Sequence, residues 1–229
     1  CRGLLMGLES ISKAALRASH KSFNSPDDYP RVVEELHRRG IALQGCFVFG
    51  MDEDTPEVFL KTAKFAVDCG IDLPRFAIVT PFPATGLFQQ LEAEGRILTH
   101  NWELYDGQHV VFEPAQMTVE QLQEGTERAW KYAYSYASIA RRLRRTPASW
   151  PLALLTNLGY RHYAYRLNRF YTCDAMHVAR GPRRKASAPA RNHEYPSQEA
   201  PAELVELPRS PPRGNLQVCV ADRTAGPSG

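Results

Sequence analysis

Long apolar runs are missing from this sequence of 229 residues. No stretch approaches the roughly 18 to 20 consecutive apolar residues that a membrane-spanning helix requires, so we expect no transmembrane segment. Hydrophobic residues make up 43% of the chain, charged residues 23% and aromatic residues 10%. These fractions predict a globular protein with apolar mass enough for one sizeable core.

Cysteine is scarce, and the five cysteines form no CxxC or CxxxCxxC cluster: they are Cys1, Cys46, Cys69, Cys173 and Cys219. Their odd number and irregular spacings argue against both a disulfide framework and a zinc site. We therefore expect no metal ligands in this chain. Free cysteines without a disulfide pattern also favour a reducing, cytoplasmic compartment.

Acidic residues are nearly absent from one segment of the chain. Residues 1–127 carry 11 Lys and Arg against 19 Asp and Glu, whereas residues 128–176 carry 9 against 1. Residues 177–229 carry 8 against 5, and the whole chain has a net charge of +3. Because the basic charge is concentrated in one short segment, the overall charge is no evidence for a nucleic-acid partner.

The first ninety residues alternate between strand and helix signals. Apolar runs over residues 4–8, 41–49 and 76–79 predict three strands. Helical spacing predicts a helix from Tyr29 to Arg39 and another over residues 58–69. Asp54 and Thr55 precede the second helix, and we expect them to cap it.

Near-continuous apolar strands separated by helices predict parallel βαβ units, as in a barrel or a doubly wound sheet. The crossovers of about 20 to 30 residues suit such connections. Three strands can neither close a barrel nor cover both edges of a sheet. We therefore expect a further strand beside the first one.

The remainder of the chain divides into a helical region and a tail. Thr118 and Gln121 predict a capping box that opens a helix running to about Arg145, and a second amphipathic stretch follows over residues 152–170. From about His177 the composition becomes rich in proline and poor in apolar residues, which predicts disorder. The expected divisions are therefore residues 1–98, 99–176 and 177–229.

Polar or glycine-containing turns follow all three predicted strands. In parallel α/β proteins, ligands bind at the carboxyl ends of the strands. Glu9 and Ser10 could hold sugar hydroxyls there, while Gly45 and Gly50 would let a flat group approach the backbone. For Glu9 the alternative stays open that it pairs structurally with a backbone amide or with an arginine such as Arg2.

The order of these motifs resembles the second half of a radical S-adenosylmethionine (radical SAM) barrel. The motifs are Gly7-Leu8-Glu9-Ser10, then Gly45-Cys46-Phe47-Val48-Phe49-Gly50-Met51-Asp52-Glu53-Asp54-Thr55, then Pro81-Phe82-Pro83-Ala84-Thr85. The later segments Val110-Val111-Phe112-Glu113-Pro114 and Ser138-Ile139-Ala140-Arg141-Arg142 are similar to the branch with an N-terminal cobalamin-binding domain. The resemblance covers roughly residues 1–170.

This resemblance implies a partial (β/α)6 TIM-like barrel with a [4Fe-4S] cluster that cleaves S-adenosylmethionine reductively to a 5′-deoxyadenosyl radical. It implies that Glu9 and Ser10 touch the ribose, that Phe47, Phe49 and Gly50 lie along the adenine, and that the Thr80-Pro81 turn faces the mouth of the active site. The substrate would be a small molecule, the reaction a cobalamin-dependent methylation or a cyclisation. No catalytic residue is identified by it.

The chain departs from the family at the cluster. The cluster-binding CxxxCxxC belongs on the first strand of the barrel, upstream of every motif found here, and the five scattered cysteines cannot replace it. The sequence therefore resembles the C-terminal portion of such an enzyme. Its expected partner is the missing N-terminal half, and without that half we expect it to be inactive.

The basic segment suggests a different class of function, because its arginines alternate with aromatic residues. Such a pattern is compatible with a non-catalytic module that binds RNA or an acidic partner, and an anionic membrane is a further alternative. Aromatic residues at helical spacing are more often packing residues, so we favour packing over nucleic-acid binding. The residues concerned are Arg141, Arg142, Arg144, Arg145, Arg161, His162, Arg166, Arg169, Tyr134, Tyr136, Tyr160, Tyr163, Tyr165, Phe170 and Tyr171.

Overall fold

A parallel three-stranded sheet with the strand order β1-β2-β3 lies at the centre of the fold. The computed structural model describes residues 1–167. The elements in that range are β1 (Gly3–Glu9), α1 (Lys13–Ala18), α2 (Tyr29–Arg38), β2 (Ala42–Phe49), α3 (Val58–Cys69), β3 (Leu73–Ile78), α4 (Gly86–Ala93), a 3₁₀ turn (Trp102–Leu104), α5 (Val119–Ala133), α6 (Tyr136–Leu143) and α7 (Trp150–Ala164). The disorder expected over residues 177–229 and the predicted helix end near Phe170 lie outside the described residues.

The sheet has one covered face and one open face. Leu43, Phe47 and Phe49 of β2 are buried on the covered face. Their intervening neighbours point the other way, because successive side chains of a strand alternate between faces. Gly7, Cys46 and Arg75 are register partners across the three strands and form the middle of the open face.

The edge of the sheet at β3 is capped by groups from later in the chain. Trp130 Nε1 donates a hydrogen bond to the Phe76 carbonyl at 3.0 Å, and the Tyr134 hydroxyl donates to the Pro74 carbonyl at 2.9 Å. The Ile78 amide donates to the Gly107 carbonyl at 2.7 Å. Backbone groups that a further strand would otherwise pair are therefore occupied along this edge.

The edge at β1 is different. β1 pairs with β2 alone among the described residues. Gly3, Leu4, Leu5 and Gly7 are all exposed, with 59% of the Leu5 surface accessible. An exposed, apolar edge strand is a template for pairing with another strand. That a further strand belongs beside the first one stays a prediction.

The covered face is packed by α3 and α5. Phe49 and Phe76 stack at 5.6 Å between ring centroids, and Phe59 meets Phe49 edge to face at 4.9 Å. Gly125 of α5 comes so close to α3 that an added Cβ would lie 2.3 Å from the Phe59 ring. A glycine is required at this contact, because a side chain would push the two helices apart.

Several predicted helix limits differ from the structure. The capping box of Thr118 and Gln121 is present, but the helix that it opens ends at Ala133 and not near Arg145. Ser135 begins α6, and its side chain accepts a hydrogen bond from the Ser138 amide. The break turns the chain so that Tyr134 reaches β3 while α6 packs against α3. Helices α1 and α4 were not predicted.

The C-terminal helices are joined to the core by a buried arginine. Arg142 is 1% exposed, donates to the Ala133 carbonyl, and donates to Asn157 Oδ1 at 2.6 Å. Its guanidinium lies 4.9 Å from the centre of the Tyr134 ring. Burial lowers the pKa of Arg142 from its ordinary value. The described residues fall within one compact unit, and the boundaries at residues 98 and 176 stay predictions.

None of the helices in the described range has the length and apolar character needed to cross a membrane.

Candidate functional site at the carboxyl ends of the strands

The backbone at the end of β1 is strained at Glu9. Glu9 has a φ of +67°, a left-handed conformation that is uncommon for residues with a side chain. The Ser10 amide donates to the Leu8 carbonyl at 2.9 Å, so the three residues form a γ-turn. Such strain persists only where the surroundings enforce it, and it is frequent at functional sites.

Two side chains hold this turn in place. The Tyr29 hydroxyl donates to the Leu8 carbonyl at 2.6 Å, and Asn24 Nδ2 reaches the same carbonyl at 3.3 Å. Burial, together with the charge of Glu9, raises the pKa of Tyr29 to about 12. The phenol therefore stays protonated and remains a donor across the physiological pH range.

The Glu9 carboxylate pairs with Lys21, and not with Arg2. Lys21 Nζ lies 2.8 Å from Glu9 Oε1, and the carboxylate side chain is 18% exposed. The same oxygen lies 2.6 Å from the position that a Cβ on Gly7 would take, so the carboxylate folds back over β1. One lysine leaves most acceptor positions of a carboxylate available.

Ser10 lies in the same turn but faces inward. It is 3% exposed, and its Oγ accepts a hydrogen bond from the Ser12 amide at 3.0 Å. Ser10 thus supports the start of α1, where the Ser12 side chain caps the Ala15 amide. Of the two residues expected to touch a ribose, Glu9 presents its side chain at the end of the sheet and Ser10 does not.

The turn after β2 is built around Asp54. Asp54 Oδ2 accepts hydrogen bonds from the Gly50 amide at 3.0 Å and the Met51 amide at 3.1 Å. The expectation that Asp54 and Thr55 cap the next helix is wrong, because α3 begins at Val58 after Glu57. The Thr55 hydroxyl instead donates to the Glu57 carboxylate at 2.5 Å.

Asp54 is a buried carboxyl group with one unpaired oxygen. It is 2% exposed, and Oδ1 has no hydrogen-bond partner among the described residues. Burial raises the pKa of Asp54 to about 6, against the effect of the two amide hydrogen bonds, which lower it. A carboxyl group that titrates near neutrality at a strand end could donate as well as accept a hydrogen bond.

The other candidates on β2 are packing residues in this structure. Phe47 and Phe49 are each 1% exposed on the covered face, so their rings point toward α3 and α5. An added Cβ on Gly45 would lie 3.0 Å from both Ile71 and Leu8. Gly45 therefore makes room for core side chains, and only the backbone of these residues remains for a ligand.

Gly50 closes β2 with a φ of +95°. An added Cβ would lie 2.9 Å from Leu122 of α5 and 3.4 Å from Phe112. Both the backbone conformation and the close approach of α5 require glycine at this position. The space over Gly50 is therefore filled by the protein itself.

The turn after β3 brings Thr80 beside a loop that sequence reasoning had not included. Thr80 Oγ1 donates to the Ile78 carbonyl at 3.1 Å, and Pro81 is buried. Gly107 lies close to Thr80 and accepts the Ile78 amide. The loop over residues 105–109 thus crosses the carboxyl end of β3.

This loop carries three polar side chains. Asp106 accepts hydrogen bonds from the Gln108 amide at 2.8 Å and from His109 Nδ1 at 3.0 Å. Burial raises the pKa of Asp106, but these hydrogen bonds outweigh burial and hold it below its ordinary value. Gln108 Oε1 is buried with no hydrogen-bond partner among the described residues. The Asp106-Gly107 pair is a turn signal, yet nothing local indicates that the turn crosses β3.

The cysteines among residues 1–167 lie apart from one another and from other metal-ligating side chains. Cys1, Cys46 and Cys69 are free there, and no three His, Cys, Asp or Glu residues of that range converge. Burial raises the pKa of Cys46, and it raises the pKa of Cys69 to about 11. Burial thus favours the neutral thiol at both positions.

The aromatic residues of the basic segment divide into two sets. Tyr134 is fully buried and stacks on Tyr160 at 5.4 Å, and Tyr163 meets Trp130 at 5.2 Å. These rings are packing residues, as expected. Tyr136 and Tyr165 are exposed and enclose the guanidinium of Arg161, at 3.8 Å and 4.2 Å from their ring centres.

The comparisons with known proteins begin with a negative result: no family model matches the chain. The chain is 33% identical over 150 residues to bacteriochlorophyllide d C-12(1)-methyltransferase of Chlorobaculum tepidum, covering 66% of this chain and 32% of that protein. It is 28% identical over 181 residues to bacteriochlorophyllide d C-8(2)-methyltransferase of the same organism, covering 78% and 40%.

A third relative catalyses a different reaction. Anaerobic magnesium-protoporphyrin IX monomethyl ester cyclase of Rubrivivax gelatinosus is 29% identical over 86 residues, covering 38% of this chain and 15% of that protein. The chain thus spans at most 40% of the length of these three relatives. The relatives are methyltransferases and a cyclase of the radical SAM family, and the chain is homologous to a part of them.

Proposed function

We propose that the chain is the C-terminal part of a radical SAM enzyme that methylates or cyclises a small molecule. Its three strands would form the second half of a partial (β/α)6 barrel, and β1 would pair with a strand of the other half. The observation that carries the proposal is the strained turn at Glu9, which holds a carboxylate at the carboxyl end of a parallel edge strand, where ligands bind in such sheets.

The relatives support the reaction class. Two of them are named as methyltransferases acting on bacteriochlorophyllide d and one as a cyclase acting on a magnesium-protoporphyrin ester. From these relatives we infer for this chain only that the substrate is a small molecule. Whether methylation or cyclisation is catalysed is not determined by any described residue.

S-adenosylmethionine fits the end of the sheet in one respect. Glu9 presents a carboxylate with free acceptor positions, as the ribose hydroxyls of the cofactor would require. Tyr29 and Asn24 fix the turn, so that little ordering of its backbone would remain to be done on binding. Thr80 and the loop at Gly107 would border the same end of the barrel.

The bound cofactor would supply the radical chemistry, and this chain would orient it and exclude water. The iron-sulfur cluster would be held by the other half, since the described residues offer no set of thiolates for it. Cobalamin belongs to the proposal only as a property of the longer enzyme. No step of the reaction is assigned to a residue of this chain.

The sharpest test is the substitution Glu9→Gln in the enzyme that contains both halves. Removing one charged acceptor should weaken S-adenosylmethionine binding by about 1 to 3 kcal/mol, with the melting temperature nearly unchanged. Isothermal titration and thermal unfolding measure the two effects. A large loss of stability with intact cofactor affinity would instead assign Glu9 to the fold.

Lys21→Met is the matched control, because it breaks the same ion pair and leaves the carboxylate. An ion pair this exposed contributes little to stability. If Glu9 binds the cofactor, Lys21→Met should retain most of the affinity that Glu9→Gln loses. Equal losses in both variants would show that the ion pair itself matters.

A second experiment tests the proposal that the other half of the enzyme holds the iron-sulfur cluster. The chain alone should take up no [4Fe-4S] cluster on anaerobic reconstitution, because its thiolates do not converge among the described residues. Iron analysis and visible absorption measure cluster content. Stoichiometric cluster uptake that is lost on substitution of a cysteine would refute the proposed division.

A further inference from the structure

The helical hairpin of α6 and α7 carries apolar residues on two opposite sides. Ala153, Asn157 and Ala164 of α7 face the core. On the other side Leu152 and Leu155 are 60% and 70% exposed, and Trp150, the first residue of α7, is 60% exposed. A helix that is apolar all round is normally covered on both sides. Among the described residues nothing covers the outer side of α7.

The exposed residues continue into a groove between α6 and α7. The groove has a volume of about 530 Å³ and is lined by Tyr136, Ile139, Ala140, Leu143, Arg144, Trp150, Leu154 and Leu158. Tyr136 and Leu158, at one end, are 67% and 39% exposed. We call this groove together with the outer residues Leu152 and Leu155 the hairpin face. Its apolar residues form a patch, unlike the isolated exposed apolar residues that are normal on a protein surface.

The segment of the chain that forms the hairpin face has no acidic residue. From residue 128 to residue 167 the chain has eight Lys and Arg residues and no Asp or Glu. Arg141 is neutralised by Asp68 at 2.9 Å, but Arg144 lines the groove without an ion pair in the described range. Arg161 is held between Tyr136 and Tyr165, likewise without a carboxylate partner.

The apolar residues and the arginines of the hairpin face together favour one kind of binding partner over others. A second copy would bring the same unpaired arginines against the first, which opposes a symmetric dimer through this face. An RNA ligand would use the arginines but would leave Trp150, Leu152 and Leu155 in water. An anionic lipid surface satisfies both, since apolar side chains enter the boundary of the acyl chains while basic side chains meet the headgroups.

We propose that the hairpin face binds the surface of a membrane containing anionic lipids. Trp150, Leu152 and Leu155 would enter the interface, and Arg144 and Arg161 would lie at the level of the phosphates. Tyr136 and Tyr165 are aromatic residues with polar ends, which favour that level too. The inference is independent of the function proposed for the strand ends.

The test is co-sedimentation of the full chain with vesicles. One set of vesicles contains phosphatidylcholine alone, and the other contains equal parts of phosphatidylcholine and phosphatidylglycerol. We expect binding to the anionic vesicles at low salt, weaker binding at high salt, and little binding to the neutral ones. Absence of binding to anionic vesicles at low salt would overturn the proposal.

Two variants separate the apolar and the charged contributions. The double variant Trp150→Ser, Leu155→Ser should lower the partition coefficient on the order of tenfold or more. Arg144→Glu should lower it by at least about fivefold. Both changes are at exposed positions, so circular dichroism should show an intact fold.

Matched controls lie elsewhere on the surface. Phe23→Ser removes an aromatic ring that is 80% exposed outside the hairpin face. Arg17→Glu changes the net charge by the same amount on α1, where Arg17 is also exposed. Both controls should keep nearly all of the binding. Losses as large as those of the hairpin variants would refute a specific face.

Tryptophan fluorescence gives a second readout. The chain has three tryptophans; Trp130 is fully buried, and Trp102 is 47% exposed away from the hairpin. Anionic vesicles should shift the emission to shorter wavelength in Trp102→Phe but not in Trp150→Phe. A dimer that dissociates in the double variant would assign the face to a second copy. Binding to polyuridylate that needs Arg144 but not Trp150, without vesicle binding, would assign it to RNA.

Discussion

The two edges of the sheet differ in whether later parts of the chain cap their backbone groups. At β3, Trp130 and Tyr134 reach back from α5 and satisfy the carbonyls of Phe76 and Pro74. At β1, no element of the described residues pairs with the outer edge of the strand, and Leu4 and Leu5 are exposed. The β3 edge is therefore closed to further strand pairing, whereas the β1 edge is open to it. Four experiments test this contrast.

The largest effect is expected at the capped edge. Trp130→Ala should lower the free energy of unfolding by about 3 to 5 kcal/mol, because it removes a fully buried ring and the donor to the Phe76 carbonyl. Leu5→Ala, at the open edge, should change it by less than about 0.5 kcal/mol. Urea denaturation followed by circular dichroism measures both. Comparable losses at the two edges would contradict the comparison.

The buried carboxyl group of Asp54, which follows the central strand β2, should make the free energy of unfolding depend on pH. The pKa of Asp54 is raised from 3.8 to about 6 by burial. Between these two values the folded protein binds more protons than the unfolded chain, so the free energy of unfolding falls as pH rises. Asp54 alone should account for a fall of about 3 kcal/mol, which is complete about one pH unit above its pKa of about 6 in the folded protein.

Asp54→Asn should remove that fall, because the amide keeps an acceptor for the Gly50 and Met51 amides and cannot ionise. Asp52→Asn is the control, since the Asp52 side chain is 47% exposed. Urea denaturation at a series of pH values gives the slope for each protein. An unchanged slope in Asp54→Asn would show that another group causes the dependence.

A smaller effect compares two tyrosine hydroxyls at the two edges. Tyr134→Phe leaves the buried Pro74 carbonyl without its donor and should cost about 1 to 3 kcal/mol of unfolding free energy. Tyr29→Phe should cost less, because Asn24 still reaches the Leu8 carbonyl at 3.3 Å. Thermal unfolding of the two variants at neutral pH measures the difference. A larger loss in Tyr29→Phe than in Tyr134→Phe would mean that the turn at the end of β1 depends more on its tyrosine hydroxyl than the β3 edge does.

The smallest change in stability is expected for Leu4→Lys. Leu4 is 41% exposed on β1, so the substitution should alter the free energy of unfolding by less than about 0.5 kcal/mol. A lysine on an edge strand blocks pairing with other chains. Static light scattering of the chain alone should therefore show less self-association than the wild type. Undiminished association would exclude β1 as its route.

The strands of the fold were readable from the sequence, and the edges were not. Continuous apolar runs predicted β1, β2 and β3 to within about three residues at each end. The cap on β3 depends on Trp130 and Tyr134, which follow their acceptors by 54 and 60 residues. No local pattern links residues so far apart. The break before α6 escaped prediction for the same reason.

The candidate site was predictable in position more than in detail. Placing ligand residues at the strand ends selected the turn at Glu9, and a ligand role for Glu9 stays a prediction; its ion pair with Lys21 and the Tyr29 hydrogen bond to Leu8 could not be foreseen, because these residues meet only in three dimensions. Phe47 and Phe49 share the period of the strand with the core, and alternation alone cannot say which face a ligand uses. The loop at Gly107 was missed because it joins β3 only in three dimensions.

Phe76 of β3 and Trp130, which caps it, are 54 residues apart in sequence, and this separation delays capping during synthesis. A ribosome adds roughly 5 to 20 residues per second, so Trp130 is made about 3 to 11 seconds after Phe76. During that interval both outer strands of the nascent sheet are uncovered. The growing polypeptide thus passes through a stage in which two strand edges are open to pairing with other chains.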